Sequence, residues 1–199
     1  MISNSPKKLE DNFAEMIQGI LDQKYSVLIS AANGKSEQLM DSLRKRGITV
    51  PFLATEVKCR LAKVYQEFNY QIEEIHQIRL NVNNEVIPYN PSDATTRQII
   101  ASKKYVGFIG LNSVPKRDQS TFLIQVSRYF QWNDPEEPMI EYPKEKKICA
   151  VLSDHADFNG IMGYIEKSRP KLVIPKGGNQ SVFAEEVRSR FGVDCEINF

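Results

Sequence analysis

Two short runs hold the side chains best suited to chemistry. In the first, Asn33-Gly34-Lys35-Ser36, a glycine and a lysine stand between small polar residues, directly behind an apolar stretch. A glycine there permits close backbone approach, and free amides at a helix N-terminus would face an anion, so the run suits a phosphate group. It is not a Walker A loop, because Ile29 stands where the first glycine of that pattern would have to be. The same four residues also suit a plain capped turn with a solvated lysine. In the second run, Ser153-Asp154-His155-Ala156-Asp157, a histidine lies between carboxylates. Such a histidine can be held in one tautomer or kept protonated, which suits general acid work. Capping of a helix by Ser153, Asp154 or Asp157, with a histidine that merely hydrogen-bonds, is the alternative.

Other features carry weaker signals. His76, the second of two histidines, lies in an alternating apolar stretch and reads as structural; two histidines cannot build a multi-histidine zinc site. Basic residues gather at Lys58, Arg60 and Lys63, at Lys103-Lys104, at Lys116-Arg117 and across Lys167, Arg169 and Lys171, and most of them read as solvated faces. Gly177-Gly178-Asn179 is a further anion-friendly loop. Tyr105, Tyr129, Phe130 and Trp132 suit base stacking or, more simply, core packing.

The elements that must position these runs follow from periodicity. Leu9, Phe13, Met16, Ile17, Ile20 and Leu21 recur at helical spacing behind Ser5-Pro6, so a helix opens the chain. A strand over 25–30 then leads through Ala31-Ala32-Asn33-Gly34 into a helix marked by Leu39, Met40 and Leu43, which Gly47 stops. A strand over 48–53 and a helix marked by Val57, Leu61, Val64, Tyr65 and Phe68 come next. Residues 72–82 and 86–89 flank Asn83-Asn84 as a hairpin. A buried strand is expected over 104–109, while 121–129 fits strand and helix periods alike. The prolines of 134–138 mark a surface loop. Strand 147–152, helix 158–167 with Ile161, Met162 and Ile165 inward, strand 171–174, helix 181–191 and strand 193–199 complete the chain. This alternation predicts an α/β fold: a mostly parallel sheet flanked by helices, ending in βαβαβ elements.

Composition bounds the function classes. The chain has 199 residues, 41% hydrophobic, 10% aromatic and 26% charged, which disfavours disordered, collagen-like and coiled-coil classes. A formal charge of +1 removes any globally basic footprint, so nucleic-acid binding would have to be local. Cys59, Cys149 and Cys195 are widely spaced, without a Cys-x-x-Cys pair, and indicate neither disulfides nor a thiolate metal site. No leader-like N-terminus and no apolar run of about 18 residues is present, so a cytoplasmic protein without membrane contact is expected.

The run from Ala150 to Met162, Ala-Val-Leu-Ser-Asp-His-Ala-Asp-Phe-Asn-Gly-Ile-Met, followed by Glu166-Lys-Ser-Arg-Pro-Lys-Leu-Val-Ile, resembles the C-terminal part of β-CASP nucleases of the metallo-β-lactamase superfamily. The Ser-Asp-His-Ala-Asp form is most similar to the compact archaeal and bacterial RNA-processing or ligase-associated exonucleases. Tyr25-Ser-Val-Leu-Ile-Ser-Ala-Ala-Asn-Gly-Lys-Ser-Glu-Gln-Leu resembles the strand and loop that open the β-CASP region, and 50–65 its next strand and helix.

The resemblance implies a β-CASP-like region over 1–146 and metallo-β-lactamase-like elements over 147–199, packed as one unit. Glu10 matches the acidic motif A and His155 the motif B histidine, which in a complete nuclease would donate a proton to the leaving oxygen. At the late position where the family often carries a metal-binding histidine stands Lys176. The half with the remaining metal ligands would precede Met1. The expectation is therefore a protein that binds RNA or single-stranded DNA through Asn33, Gly34, Lys35, Ser36 and Lys176. Alone it would hold no metal and make no cut. As alternatives, zinc and cleavage would come with a partner polypeptide carrying the metallo-β-lactamase half; the chain would act as a homo-oligomer; or it would be an α/β small-ligand or nucleotide-binding domain using the 33–36 loop.

Overall fold

The computed structural model describes residues 6–111, 113, 115–116, 119–126, 139–150, 152, 158–176 and 179–197. The chain divides into two compact units, Met1–Ser153 and Asp154–Phe199.

The first unit is built on an eight-stranded sheet in the order β4-β3-β2-β5-β1-β6-β8-β7. Its strands are β1 (Ser26–Ser30), β2 (Phe52–Thr55), β3 (Ile75–Leu80), β4 (Val86–Pro88), β5 (Val106–Ile109), β6 (Thr121–Val126), β7 (Met139–Tyr142) and β8 (Lys147–Ala150). Every pairing among the inner strands is parallel, and only the edge strands β4 and β7 run antiparallel to their neighbours. The α/β class and the mostly parallel sheet are as the alternation of elements predicts. β1 is buried at all five positions because β5 and β6 flank it and both faces are covered.

Helices α1 (Pro6–Asp22), α2 (Lys35–Lys45) and α3 (Glu56–Glu67) bury one face of the sheet. Phe13 and Ile17 of α1 and Leu39, Met40 and Leu43 of α2 meet Val27, Ile29, Phe52, Val106, Phe108 and Ile124. Leu28, Leu53, Ile78, Tyr105, Ile109 and Leu123 point to the opposite face, as the two-residue strand period requires. That face is crossed by α4 (Ala94–Ser102).

Periodicity alone does not reveal α4, but its start has a local signal. Asp93 accepts hydrogen bonds from the Thr96 amide at 2.9 Å and the Thr96 hydroxyl at 2.6 Å, an N-cap that holds the first turn. The hairpin between β3 and β4 is present, and its turn is organised by Asn81. The Asn81 side-chain oxygen accepts from the amides of Asn83 and Glu85, both at 2.9 Å. The 121–129 ambiguity resolves as a strand, because β6 pairs in register with β1 and β8. β2 begins at Phe52 rather than at 48, since Ile48 serves as a buried contact behind the helix stop. β7 was not apparent from the residue pattern.

The second unit contains α5 (Phe158–Ser168), β9 (Leu172–Val173), α6 (Gln180–Phe191) and β10 (Asp194–Cys195). Met162, Ile165, Ala184, Val187 and Cys195 form its core. Met162 and Ile165 face inward as expected, but Ile161 does not: it is 38% exposed, because the small core of this unit forms on the side of α5 that carries Met162 and Ile165. β9 and β10 form a parallel pair of their own, whereas β8 belongs to the large sheet. The three strands of the expected C-terminal βαβαβ series are therefore divided between two sheets. No helix among the described residues is long and apolar enough to cross a membrane.

Candidate functional site

In parallel α/β sheets, loops at the carboxyl ends of strands are where ligands gather, and the 31–34 segment leaves the central strand at that end. Gly34 caps α2 with φ +84°, in the left-handed region that favours glycine. A Cβ at Gly34 would lie 3.5 Å from the Tyr65 hydroxyl, so the turn also runs close to α3.

The turn is held by an acid and a base that sequence reasoning did not assign to it. The Gly34 amide donates to Glu37 Oε2 at 2.6 Å, so Glu37 reaches back from the first turn to cap its own helix. Lys58 of α3 donates to the Ala31 carbonyl at 2.9 Å, to the Ser36 hydroxyl and, at 3.5 Å, to Asn33 Oδ1. Ser36, Glu37 and Lys58 are buried, with Lys58 only 1% exposed. Lys58 is therefore the exception in its cluster of basic residues: it lies on the inward side of α3, while Arg60 and Lys63 are exposed. The apolar spacing of α3 does not carry this signal: Val57, Val64 and Phe68 are exposed, and the buried positions are Lys58 and Ala62, one turn apart on another face. Burial pulls the Lys58 pKa below the usual lysine range, and Glu37 opposes that shift. Glu37 Oε1 is buried and accepts no hydrogen bond among the described residues.

The expected phosphate run is thus only partly open. Asn33 is exposed and Lys35 half-buried at the first position of α2, whereas Ser36 is buried and the Gly34 amide faces Glu37 instead of an external anion.

Glu10 lies elsewhere. Its Oε2 is 2.8 Å from the Arg46 guanidinium and accepts from the Ser42 hydroxyl at 3.2 Å. Arg46 also binds Asp11 at 2.7 Å. Glu10 is therefore anchored at the C-terminal end of α2, roughly 15 Å along the helix from Ser36 at 1.5 Å per residue. His155, with Ser153, Asp154 and Asp157, is outside the described residues, as are Gly177, Gly178, Tyr129, Phe130, Trp132 and the 134–138 loop. Lys176 is exposed in the second unit, between β9 and α6.

Among the described residues no three His, Cys, Asp or Glu side chains lie together as a metal site. Burial pushes the Cys59 thiol up to about 11, so it is protonated at neutral pH and a poor nucleophile. What the β1 loop can do is present Lys35 and Asn33 from a backbone braced from within. No protein-family model matches this chain, and no curated protein matches it.

Proposed function

We propose that this chain is a β-CASP-type nucleic-acid-binding protein that takes up RNA or single-stranded DNA and does not cleave it alone. The observation that supports this reading is the braced loop at the carboxyl end of β1, where Lys58 fixes Ala31, Asn33 and Ser36 from beneath. A braced loop loses little entropy on binding, and Lys35 enters at the helix N-terminus, where the partial positive charge of α2 adds to its own. With the Gly34 amide taken by Glu37, the phosphate contact falls to the Lys35 ammonium and the Asn33 amide.

Fluorescence anisotropy with a labelled single-stranded RNA tests this. Lys35→Ala weakens binding by about three- to tenfold and flattens the salt dependence by about one counterion, as for one lost phosphate contact. Unchanged affinity and slope would remove Lys35 from the interface.

A second reading, half of a split zinc-dependent nuclease, is favoured by one observation in the second unit. β9 and β10 are two residues long each and pair with one another, and Tyr164, Ile174 and Val182 are 72%, 53% and 58% exposed. Short parallel pairs are normally parts of larger covered sheets, so another polypeptide would complete this one. In this reading zinc would come with the partner's metallo-β-lactamase half, as the family resemblance implies. Zinc-dependent cleavage of the same RNA on adding a metallo-β-lactamase half would favour this reading over the binding subunit.

A further inference from the structure

Helix α3 carries two stripes with different partners. Lys58 and Ala62, one turn apart, are buried in the first unit. The apolar spacing runs along another face, where Val57, Leu61, Val64 and Phe68 recur at intervals of four, three and four residues. That rhythm makes the narrow seam of a helix pair. Leu61 is half-buried, whereas Val57, Val64 and Phe68 are 44%, 47% and 70% exposed. The seam therefore lies open along the whole helix and on to its C-cap at Phe68.

The charges beside the seam decide what fits it. One flank is closed by the chain itself, through buried Lys58 and through Tyr65, which packs on the core. The other flank carries Arg60 and Glu67, both exposed and neither in an ion pair with another described residue. Consider a second copy lying antiparallel, with a two-fold axis between Leu61 and Val64. Leu61 then meets Val64 of the second copy, and Val57 meets its Phe68. In this register Arg60 and Glu67 of the second copy differ by two residues in height, about 3 Å, and the axis repeats the contact in reverse. A flank with one cation and one anion so placed is its own complement. A parallel copy would face Arg60 with Tyr65 and supply no counter-charge.

We propose that α3 is a self-association surface, through which two copies of this chain pair antiparallel. Val57, Leu61, Val64 and Phe68 form the seam, and reciprocal Arg60–Glu67 ion pairs fix its direction along the open flank. The seam supplies burial without orientation, and the ion pairs select the antiparallel register. A twelve-residue helix is about 18 Å long and buries less than the roughly 800 Å² per partner of a standard interface. The dimer is therefore weak and reversible, with a Kd of about 10–100 µM. The inference is independent of nucleic-acid binding, since none of the seam or flank residues lies in the 31–36 loop.

The test is sedimentation of the full chain, without nucleic acid and at low salt, from about 5 to 500 µM. The weight-average mass rises with concentration from the 22.8 kDa of one chain toward twice that value. Val64→Asp, which places a charge in the seam, keeps the chain monomeric throughout. Arg60→Glu and Glu67→Arg each weaken association about five- to twentyfold, because each turns two attractive contacts into repulsive ones. The double variant Arg60→Glu, Glu67→Arg restores association to within about threefold of the starting chain. A different protein or a nucleic acid on this face predicts a monomer at every concentration and no such rescue. A chain that stays monomeric, dimerisation untouched by Val64→Asp, or a double variant as weak as either single one would each overturn the proposal. Should Val64→Asp lower stability, the charge swaps, confined to the exposed flank, decide alone.

Discussion

The two faces of the eight-stranded sheet are made by the same strands but finished differently. On one, three helices close over Val27, Ile29, Phe52 and Phe108. The Phe52 and Phe108 rings meet edge to face at 5.3 Å, and the Arg44 guanidinium lies 3.6 Å from the Phe52 ring centre. On the other, Leu28, Leu53, Ile78 and Leu123 pack against Val86 of β4 and Ile99 and Ile100 of α4, and Leu28 also lines a cavity. Polar groups also enter this second face, where the Ser26 and Thr121 hydroxyls pair at 2.9 Å. A strand buried on both sides therefore does not have two equivalent sides. The closed face carries the larger apolar cluster, and the looser one leaves a cavity.

Substitutions that separate the faces sharpen this contrast. The largest effect is expected at Phe52, where truncation to alanine removes the ring contacts in a closed layer that cannot collapse. Phe52→Ala should cost about 3–5 kcal/mol, read as a lower urea midpoint. A loss under about 1 kcal/mol would mean that the helical face is not closed.

Next is the polar brace at the edge of the closed face. Lys58→Met removes the donor to Ala31 and Ser36 and leaves the buried Glu37 carboxylate without its neighbouring cation. A cost of about 3–5 kcal/mol is expected, and adding Glu37→Gln should restore roughly 1–2 kcal/mol by removing the stranded charge. Strict additivity of the two changes would show that the pair is not coupled.

The smallest effect is expected on the second face. A Cβ at Gly107 would lie 2.5 Å from Leu28 Cδ2, a contact that in a closed core costs about 1–3 kcal/mol. Leu28 also lines the cavity and can turn into it. Gly107→Ala should therefore cost less than about 1 kcal/mol, read as a nearly unchanged urea midpoint. A loss as large as that of Phe52→Ala would show that Leu28 has nowhere to go.

The candidate site was legible only in part. Asn33-Gly34-Lys35-Ser36 was readable as a turn entering a helix, because glycine at a strand-to-helix junction is a local signal. That Glu37 would fill the place expected for an outside anion was not read, although Glu37 stands at the third helical position, where a capping carboxylate belongs. The carboxylate of Glu10, which the resemblance would make a motif residue, is held by Arg46 and Ser42 at the far end of α2, a pairing between two helices that no local pattern announces.

By itself, the sequence determined what neighbouring residues decide. Apolar spacing placed α1, α2 and the buried runs of β1 and β5, it located α3 without its buried face, and asparagines placed the hairpin, because side-chain period and turn chemistry act over a few residues. Only the tertiary structure decided the rest. It made 121–126 a strand by giving it two parallel neighbours, drew β8 into the large sheet, turned Ile161 outward and Lys58 inward, and left a cavity on one face. Each of these depends on partners tens of residues away, and such pairing free energies leave no periodic trace in the segment that receives them.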